Sequence, residues 1–276
     1  MKIEPNNIYL GDCLEVMKYI KDEYIDLTVT SPPYDNLRTY NGNIEQWSFA
    51  KFQGIAKELF RITKQGGIVV WIVGDATIKG SETGTSFRQA LYFKECGFNL
   101  HDTMIWQKIC PFQHKNRYIQ SFEYMFVFSK GFRKSANLIC DRKNKYAGCV
   151  VGGGGMTSNG KKFKSSGRKI GRKVKEYGAR FNIWNITPAR TNNTNHPAVF
   201  PEQLAKDHII SWSNEGDVVL DPFMGSGATG VACKNLNRNF IGIEISKEYF
   251  EIAKKRIEAV KSQLSFFDEP DWRKYA

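Results

Sequence analysis

The sequence predicts an α/β protein built on an open, mostly parallel sheet. Short apolar runs of strand length alternate with amphipathic stretches along most of the 276 residues. Several of those runs end in polar or turn-forming residues: Asp12, Ser31-Pro32, Asp221 and Glu244. A glycine-rich stretch, Asp221 to Gly230, lies between the apolar Val218-Val219-Leu220 and a helix-like segment. Strand, glycine turn and helix together bring backbone N–H groups and a helix N-terminus up to a ligand.

In chain order, Ile8 to Asp12 reads as a short strand, and Leu14, Val16, Met17 and Ile20 give Cys13 to Ile20 helical spacing. Ile25 to Thr30 is a second strand. It runs into Ser31-Pro32-Pro33-Tyr34, where two consecutive prolines end it and leave a rigid loop. Ser48 to Ile62 predicts an amphipathic helix with Phe49, Phe52, Ile55, Ala56, Leu59 and Phe60 on one side. Gly66-Gly67 ends that helix, and Ile68 to Val73 is a buried strand closing at Gly74-Asp75. Thr85 to Cys96 predicts a helix stopped by Gly97. His101 to Trp106 and Phe122 to Phe128 read as paired strands. Beyond Lys130 the apolar periodicity fades, and Val151 to Gly160 reads as a linker or loop. A helix from Pro201 to Trp212, the glycine-rich element, a strand Ile241 to Glu244 and a helix Lys247 to Lys261 follow.

The net charge of +12 is concentrated. Fifteen Lys/Arg stand against two acids, Asp141 and Glu176, between Lys130 and Arg180, which leaves the remainder about neutral. A basic lobe on a neutral body suits a polyanion. Lys161, Lys162, Lys164, Arg168, Lys169, Arg172 and Lys173 are the candidate contacts, with Arg38 and Tyr40 just past the proline loop. Phe163, Tyr177, Phe181 and Trp184 lie nearby, Phe181 and Trp184 as expected core residues. The expected organisation is a body of residues 1–129 and 181–262, a basic insertion at 130–180 and a tail at 263–276. The six cysteines are scattered with no C-x-x-C pair, which suits reduced thiols. Cys110 and His114 match no standard zinc spacing, so no metal is expected. No apolar run reaches the roughly 18 residues of a membrane span. The N-terminus has no secretory h-region. The expected location is cytoplasmic.

The proline loop offers acceptors, the Ser31 hydroxyl and the Pro32 carbonyl, beside the Tyr34 ring. It contains neither a strong base nor a metal ligand. Such a site suits an exocyclic NH₂ on a planar base: acceptors draw on its protons and a ring stacks on the base. Gly225 and Gly227 allow close backbone approach to a ligand. A carboxylate at Glu244 can accept from both hydroxyls of a ribose.

Thr30-Ser31-Pro32-Pro33-Tyr34 and Asp221-Pro222-Phe223-Met224-Gly225-Ser226-Gly227 resemble the catalytic and cofactor signatures of the amino-group DNA methyltransferases, the N4-cytosine/N6-adenine family. Their order, with the basic region between them, resembles that family's β class, a circular permutation of the usual methyltransferase sheet. The resemblance covers nearly the whole chain. It implies a Rossmann-like S-adenosylmethionine-dependent methyltransferase fold. The sheet would be mixed and seven-stranded, with one antiparallel strand near the edge, helices on both faces and the basic stretch as a target-recognition insertion. It implies S-adenosylmethionine as cofactor, with Asp221, Phe223, Gly225 and Gly227 around its methionine part, Glu244 at the ribose and Asp12 on the adenine side. The helix from Pro201, after His196-Pro197, would pack on the methionine end. Ser31, Pro32, Pro33 and Tyr34 would be catalytic, and double-stranded DNA the partner, its base flipped out of the stack. Ser rather than Asp at position 31 favours cytosine N4. Adenine N6 is the alternative, followed by an RNA amino-methyltransferase and by a DNA-binding regulator with a vestigial site. The tail Gln263-Leu264-Ser265-Phe266-Phe267 resembles the peptide with which bacterial replication proteins dock on the sliding clamp; phenylalanines packed on the body are the competing reading. A monomer or homodimer is expected.

Overall fold

The computed structural model describes residues 1–33, 47–108, 116–152, 154–156, 158–164, 171–187 and 200–260. The chain divides into two compact units. One comprises Met1–Asn137 with Asn182–Leu264, and the other includes Leu138–Phe181.

The first unit holds an eight-stranded sheet. Its strands are β1 (Asn7–Leu10), β2 (Ile25–Thr30), β3 (Thr63–Val73), β4 (Asn99–Gln107), β5 (Phe122–Ser129), β6 (Ile183–Asn185), β7 (Val218–Asp221) and β8 (Asn239–Glu244). Their spatial order is β1-β8-β7-β2-β3-β5-β4-β6. All neighbours are parallel except those of β5, which runs against both β3 and β4. The helices are α1 (Cys13–Met17), α2 (Phe49–Ile62), α3 (Thr85–Glu95), α4 (Glu202–Trp212), α5 (Ala228–Asn235) and α6 (Lys247–Ala259).

Strict alternation along the strands builds two cores. Val69, Trp71 and Val73 of β3, with Phe126 and Phe128 of β5, face α1, α2 and α3 through Met17, Phe52, Leu59 and Phe93. Ile68, Val70 and Ile72, with Met125 and Val127, face α4, α5 and α6 through Leu204, Ile209, Val231 and Ala253. A strand covered on both faces has no solvent side, which is why these runs read as continuously apolar. The arrangement is a mixed α/β sheet with helices on both faces.

The eighth strand is one more than expected. The three residues Ile183–Asn185 lie parallel on β4, held by Ile105 N–H donating to the Asn182 carbonyl at 2.8 Å and by the Trp106 indole donating to the Ile186 carbonyl at 2.8 Å. Three residues are too few to show a period. Trp184 is buried as anticipated, whereas Phe181 is 66% exposed. Phe181 lies in the second unit under the Arg142 guanidinium, 4.8 Å from its ring centre.

Gly66-Gly67 does not end α2, which stops at Ile62; both glycines lie within β3 (Thr63–Val73). Gly66 takes φ +78°, and its N–H donates to the Lys130 carbonyl at 2.7 Å. A Cβ there would stand 2.9 Å from the Phe132 carbonyl. Lys130 is itself buried, its ammonium donating to the carbonyls of Phe60 and Thr63 at 2.9 Å each. The first residue of the basic run is therefore a core staple.

The second unit is an antiparallel ribbon. Arg142–Lys143 pairs with Tyr177–Gly178, Val150 bridges Lys173, and amides of Gly148, Val151 and Val174 carry the ladder between. Gly154–Met156 pairs with Lys162–Lys164, so part of the expected linker is a strand. Lys143, Lys145, Arg172, Lys173 and Lys175 are exposed along the ribbon. Its root is closed by Arg180, whose guanidinium grips both oxygens of Asp141 at 2.5–3.1 Å.

At the amino edge of the sheet, buried Asp26 accepts from Val218 N–H at 3.0 Å and from the Lys64 ammonium at 2.7 Å. Asp26→Ala strands that buried amide. It should lower unfolding stability by about 1–3 kcal/mol, read as a reduced denaturant midpoint with unchanged cofactor-independent slope.

Candidate active site at the carboxyl edge of the sheet

Parallel strands deliver their C-termini to one edge, so the residues following β1, β2, β7 and β8 gather there. The centre of that edge is Asp221, the last residue of β7. Its carboxylate is buried. One oxygen accepts from the Thr30 hydroxyl at 2.7 Å and from Phe223 N–H at 3.1 Å; the other accepts from the Thr229 hydroxyl at 2.6 Å. Burial pushes its pKa up, and these three donors pull the other way without cancelling it. Thr30 ends β2 and directly precedes the proline loop, in which Pro32 is buried and Ser31 and Pro33 are half-buried.

The glycine turn folds over Asp221. Met224 N–H donates to the Ile243 carbonyl at 2.9 Å, which ties the turn to β8. Gly227 takes φ +87° at the start of α5, and a Cβ there would lie 3.0 Å from the Ala253 Cα of α6. Both the conformation and the space demand glycine. Glu244 ends β8. Its oxygens accept from Gly225 N–H at 2.7 Å and Ser246 N–H at 2.8 Å. A carboxylate has about four lone-pair sites, so each oxygen keeps capacity for a hydroxyl donor. Burial raises this carboxyl above its ordinary range, partly offset by the two amides.

Asp12 follows β1 and caps α1 through Leu14 N–H at 2.9 Å and Glu15 N–H at 3.4 Å. Its second oxygen meets the Lys51 ammonium of α2 at 2.5 Å. Burial works to raise this carboxyl, but Lys51 and the two amides outweigh it and hold the pKa low. An aromatic wall stands beside the turn: Phe223 makes edge contacts with Trp47 at 5.7 Å and Trp71 at 6.2 Å between ring centres. Carboxylates with accepting capacity left over, an aromatic wall and a glycine turn form a lining that fits a nucleoside with a compact, positively charged tail.

The structure brings together Asp12, Ser31, Pro32, Pro33, Asp221, Phe223, Gly225, Gly227 and Glu244 at the ends of β1, β2, β7 and β8. Tyr34, Arg38, Tyr40, Cys110, His114, Arg168, Lys169, His196-Pro197 and the Gln263 to Phe267 tail lie outside the described residues. Lys161, Arg172 and Lys173 are exposed in the second unit, and Lys162 and Lys164 lie on its strand Lys162–Lys164. Sequence reasoning missed Thr30, Thr229, Lys51 and Trp47. Thr30 and Thr229 stand at the two motifs, but a threonine there is ordinary, and only the buried Asp221 marks them.

Three comparisons bear on this edge. The family model for N6/N4 methyltransferases, described as DNA methylase, matches residues 25–255. The orphan methyltransferase M.BamHII of Bacillus amyloliquefaciens is 57% identical over 266 residues, covering 90% of this chain and 91% of that protein. Among solved structures, the M1.HpyAVI–SAM complex aligns with a TM-score of 0.59 at 28% identity, over 91% of this chain and 98% of that one. The cytosine-N4-specific PvuII DNA methyltransferase aligns with a TM-score of 0.67 at 21% identity, over 96% and 89%, a likeness of fold.

The Asp12–Lys51 pair has a pH signature. A carboxyl held below its ordinary value of 3.8 contributes stability above that pH and loses it as pH falls through the folded value. Lys51→Met should cost about 1 kcal/mol or less at neutral pH. The deficit should shrink on acidification below 3.8, as followed by thermal unfolding.

Proposed function

The chain belongs to the N6/N4 DNA methylase family, and we propose that it uses S-adenosylmethionine to methylate an exocyclic amine of a base flipped out of double-stranded DNA, with cytosine N4 as the target. The observation that carries this reading is the Thr30–Asp221 hydrogen bond, which joins the strand feeding the proline loop to the strand feeding the glycine turn. An amine-binding loop and a nucleoside-binding turn are thereby neighbours.

S-adenosylmethionine, when bound, supplies an electrophilic methyl group on a sulfonium. The chain's own residues do the rest. Glu244 accepts from the ribose hydroxyls, Asp12 serves the adenine side, and Phe223 with the Asp221 to Gly227 turn encloses the methionine part. The Ser31 hydroxyl and Pro32 carbonyl accept from the target amine, which leaves its lone pair out of the ring plane. Tyr34 stacks on the flipped base. Ser31 is no base, so the loop works by positioning and by dipoles set against positive charge developing on nitrogen, and the surplus proton leaves the methylated amine to water.

The basic ribbon of the second unit holds the duplex. A two-stranded ribbon fits the major groove, and its exposed Arg172, Lys173 and neighbouring lysines add a salt-dependent phosphate component. Ser31, at the position where adenine-N6 members of the family mostly carry Asp and cytosine-N4 members mostly Ser, supports cytosine N4 over adenine N6. The protein acts in the cytoplasm, where its DNA is, and the Gln263 to Phe267 tail docks on the sliding clamp.

Nucleoside mass spectrometry of DNA from cells expressing the protein should show 4-methylcytosine. Appearance of 6-methyladenine alone would overturn the base assignment, and the absence of both would overturn the reaction. Removing residues 263–276 should abolish clamp binding in a pull-down while methylation of short duplexes continues; clamp binding that survives the deletion removes the tail from that role.

A further inference from the structure

The backbone ladder between β2 and β7 is short. Its registered pairs are Val219 with Leu27 and Leu220 with Thr28. Beyond them the strands continue to Thr30 and Asp221, and there a side-chain bond takes over, the Thr30 hydroxyl donating to Asp221 at 2.7 Å. Both residues are buried. The same carboxylate gathers Phe223 N–H from the glycine turn and the Thr229 hydroxyl from the first turn of α5. One carboxylate thus holds three segments: the strand that ends at the proline loop, the turn, and the helix behind the turn. Thr30 is the only contributor among these donors that belongs to the catalytic side.

We propose that Thr30 is a positioning residue that couples the glycine turn to the Ser31-Pro32-Pro33 loop, setting the distance between cofactor and target amine. The inference rests on the methyltransferase reading and deepens it. Direct transfer needs reacting atoms held in line at near-contact distance, and a displacement of about 1 Å costs on the order of 100-fold in rate. Thr30 is buried, and its hydroxyl is committed to Asp221. It acts through Asp221, whose own position is fixed independently by Phe223 and Thr229. Losing the Thr30 hydroxyl leaves the turn's bonds in place and frees the loop alone. Asp221 loses one of its three donors in that state and keeps two, Phe223 N–H and the Thr229 hydroxyl, so the turn keeps its shape.

Thr30→Val removes the hydroxyl at nearly constant volume, and Thr30→Ser retains it. Two readouts separate coupling from simple stability. In the first, cofactor affinity is measured by calorimetry and the methylation rate by single turnover on duplex DNA. Thr30→Val should lose about 30-fold to 100-fold in rate with affinity for S-adenosylmethionine held within about threefold, a change under 1 kcal/mol. Thr30→Ser should recover most of the rate. In the second, hydrogen exchange of residues 25–31 is followed with and without S-adenosylmethionine and no DNA. Binding should slow exchange there in the wild type and in Thr30→Ser, but not in Thr30→Val, whose residues 221–231 should still be protected. A Thr30→Val protein with wild-type rate and wild-type protection overturns the coupling. So does a rate loss matched by an equal loss of affinity, which would make Thr30 a pocket-wall residue. Wild-type protein that binds the cofactor and methylates no DNA refutes the functional reading, while the exchange comparison still decides the coupling. Wild-type protein that binds no S-adenosylmethionine refutes both.

Discussion

A buried carboxylate that keeps three hydrogen-bond donors about it is the constraint from which this edge of the molecule follows. Asp221 is unfavourable in isolation, since burial raises its pKa. The fold meets that cost with two hydroxyls and an amide drawn from three different segments. None of the three can move far without leaving an acceptor unsatisfied. The carboxyl ends of β2 and β7 and the start of α5 are consequently one rigid joint. Glu244 repeats the device on the next strand, with Gly225 and Ser246 as donors. Acids at this edge therefore shape the backbone around them.

Support for that joint comes from beneath. The strands that feed it are covered on both faces, so helices on either side press on the same backbone. Gly227 lets α5 begin directly under the turn with Ala253 of α6 against it. The close contact leaves no slack through which the turn could sink. A side chain's hydrogen bond can then set a position, because the elements behind it do not give. The basic ribbon follows a different logic. It is rich in exposed cations, and none of its described side chains is buried.

Legibility in the sequence follows from how local each demand is. The proline loop and the glycine turn are visible because the backbone itself requires those residue types. The sheet is visible because two-sided burial leaves unbroken apolar runs. Thr30 and Thr229 are hidden because a threonine at a strand end or in a helix's first turn is ordinary; only a partner 191 positions away gives Thr30 its role. Lys51 reads as a helix-surface lysine until Asp12 is placed beside it. Lys130 counts toward a basic surface until the carbonyls of Phe60 and Thr63 claim it. The strand Ile183–Asn185 and the pairing of Gly154–Met156 are set by partners, not by their own composition.

The pairing of β1 has a consequence for how the protein comes into being. Asn7–Leu10 has a single neighbour in the sheet, Asn239–Glu244, which is synthesised long after it. At a synthesis rate of about 5–20 residues per second, the first strand waits on the order of ten seconds or more for its partner. Until then Asp12 and Glu244 stand on separate, unpaired pieces of chain. The carboxyl edge of the sheet is thus completed only after Asn239–Glu244 has been made.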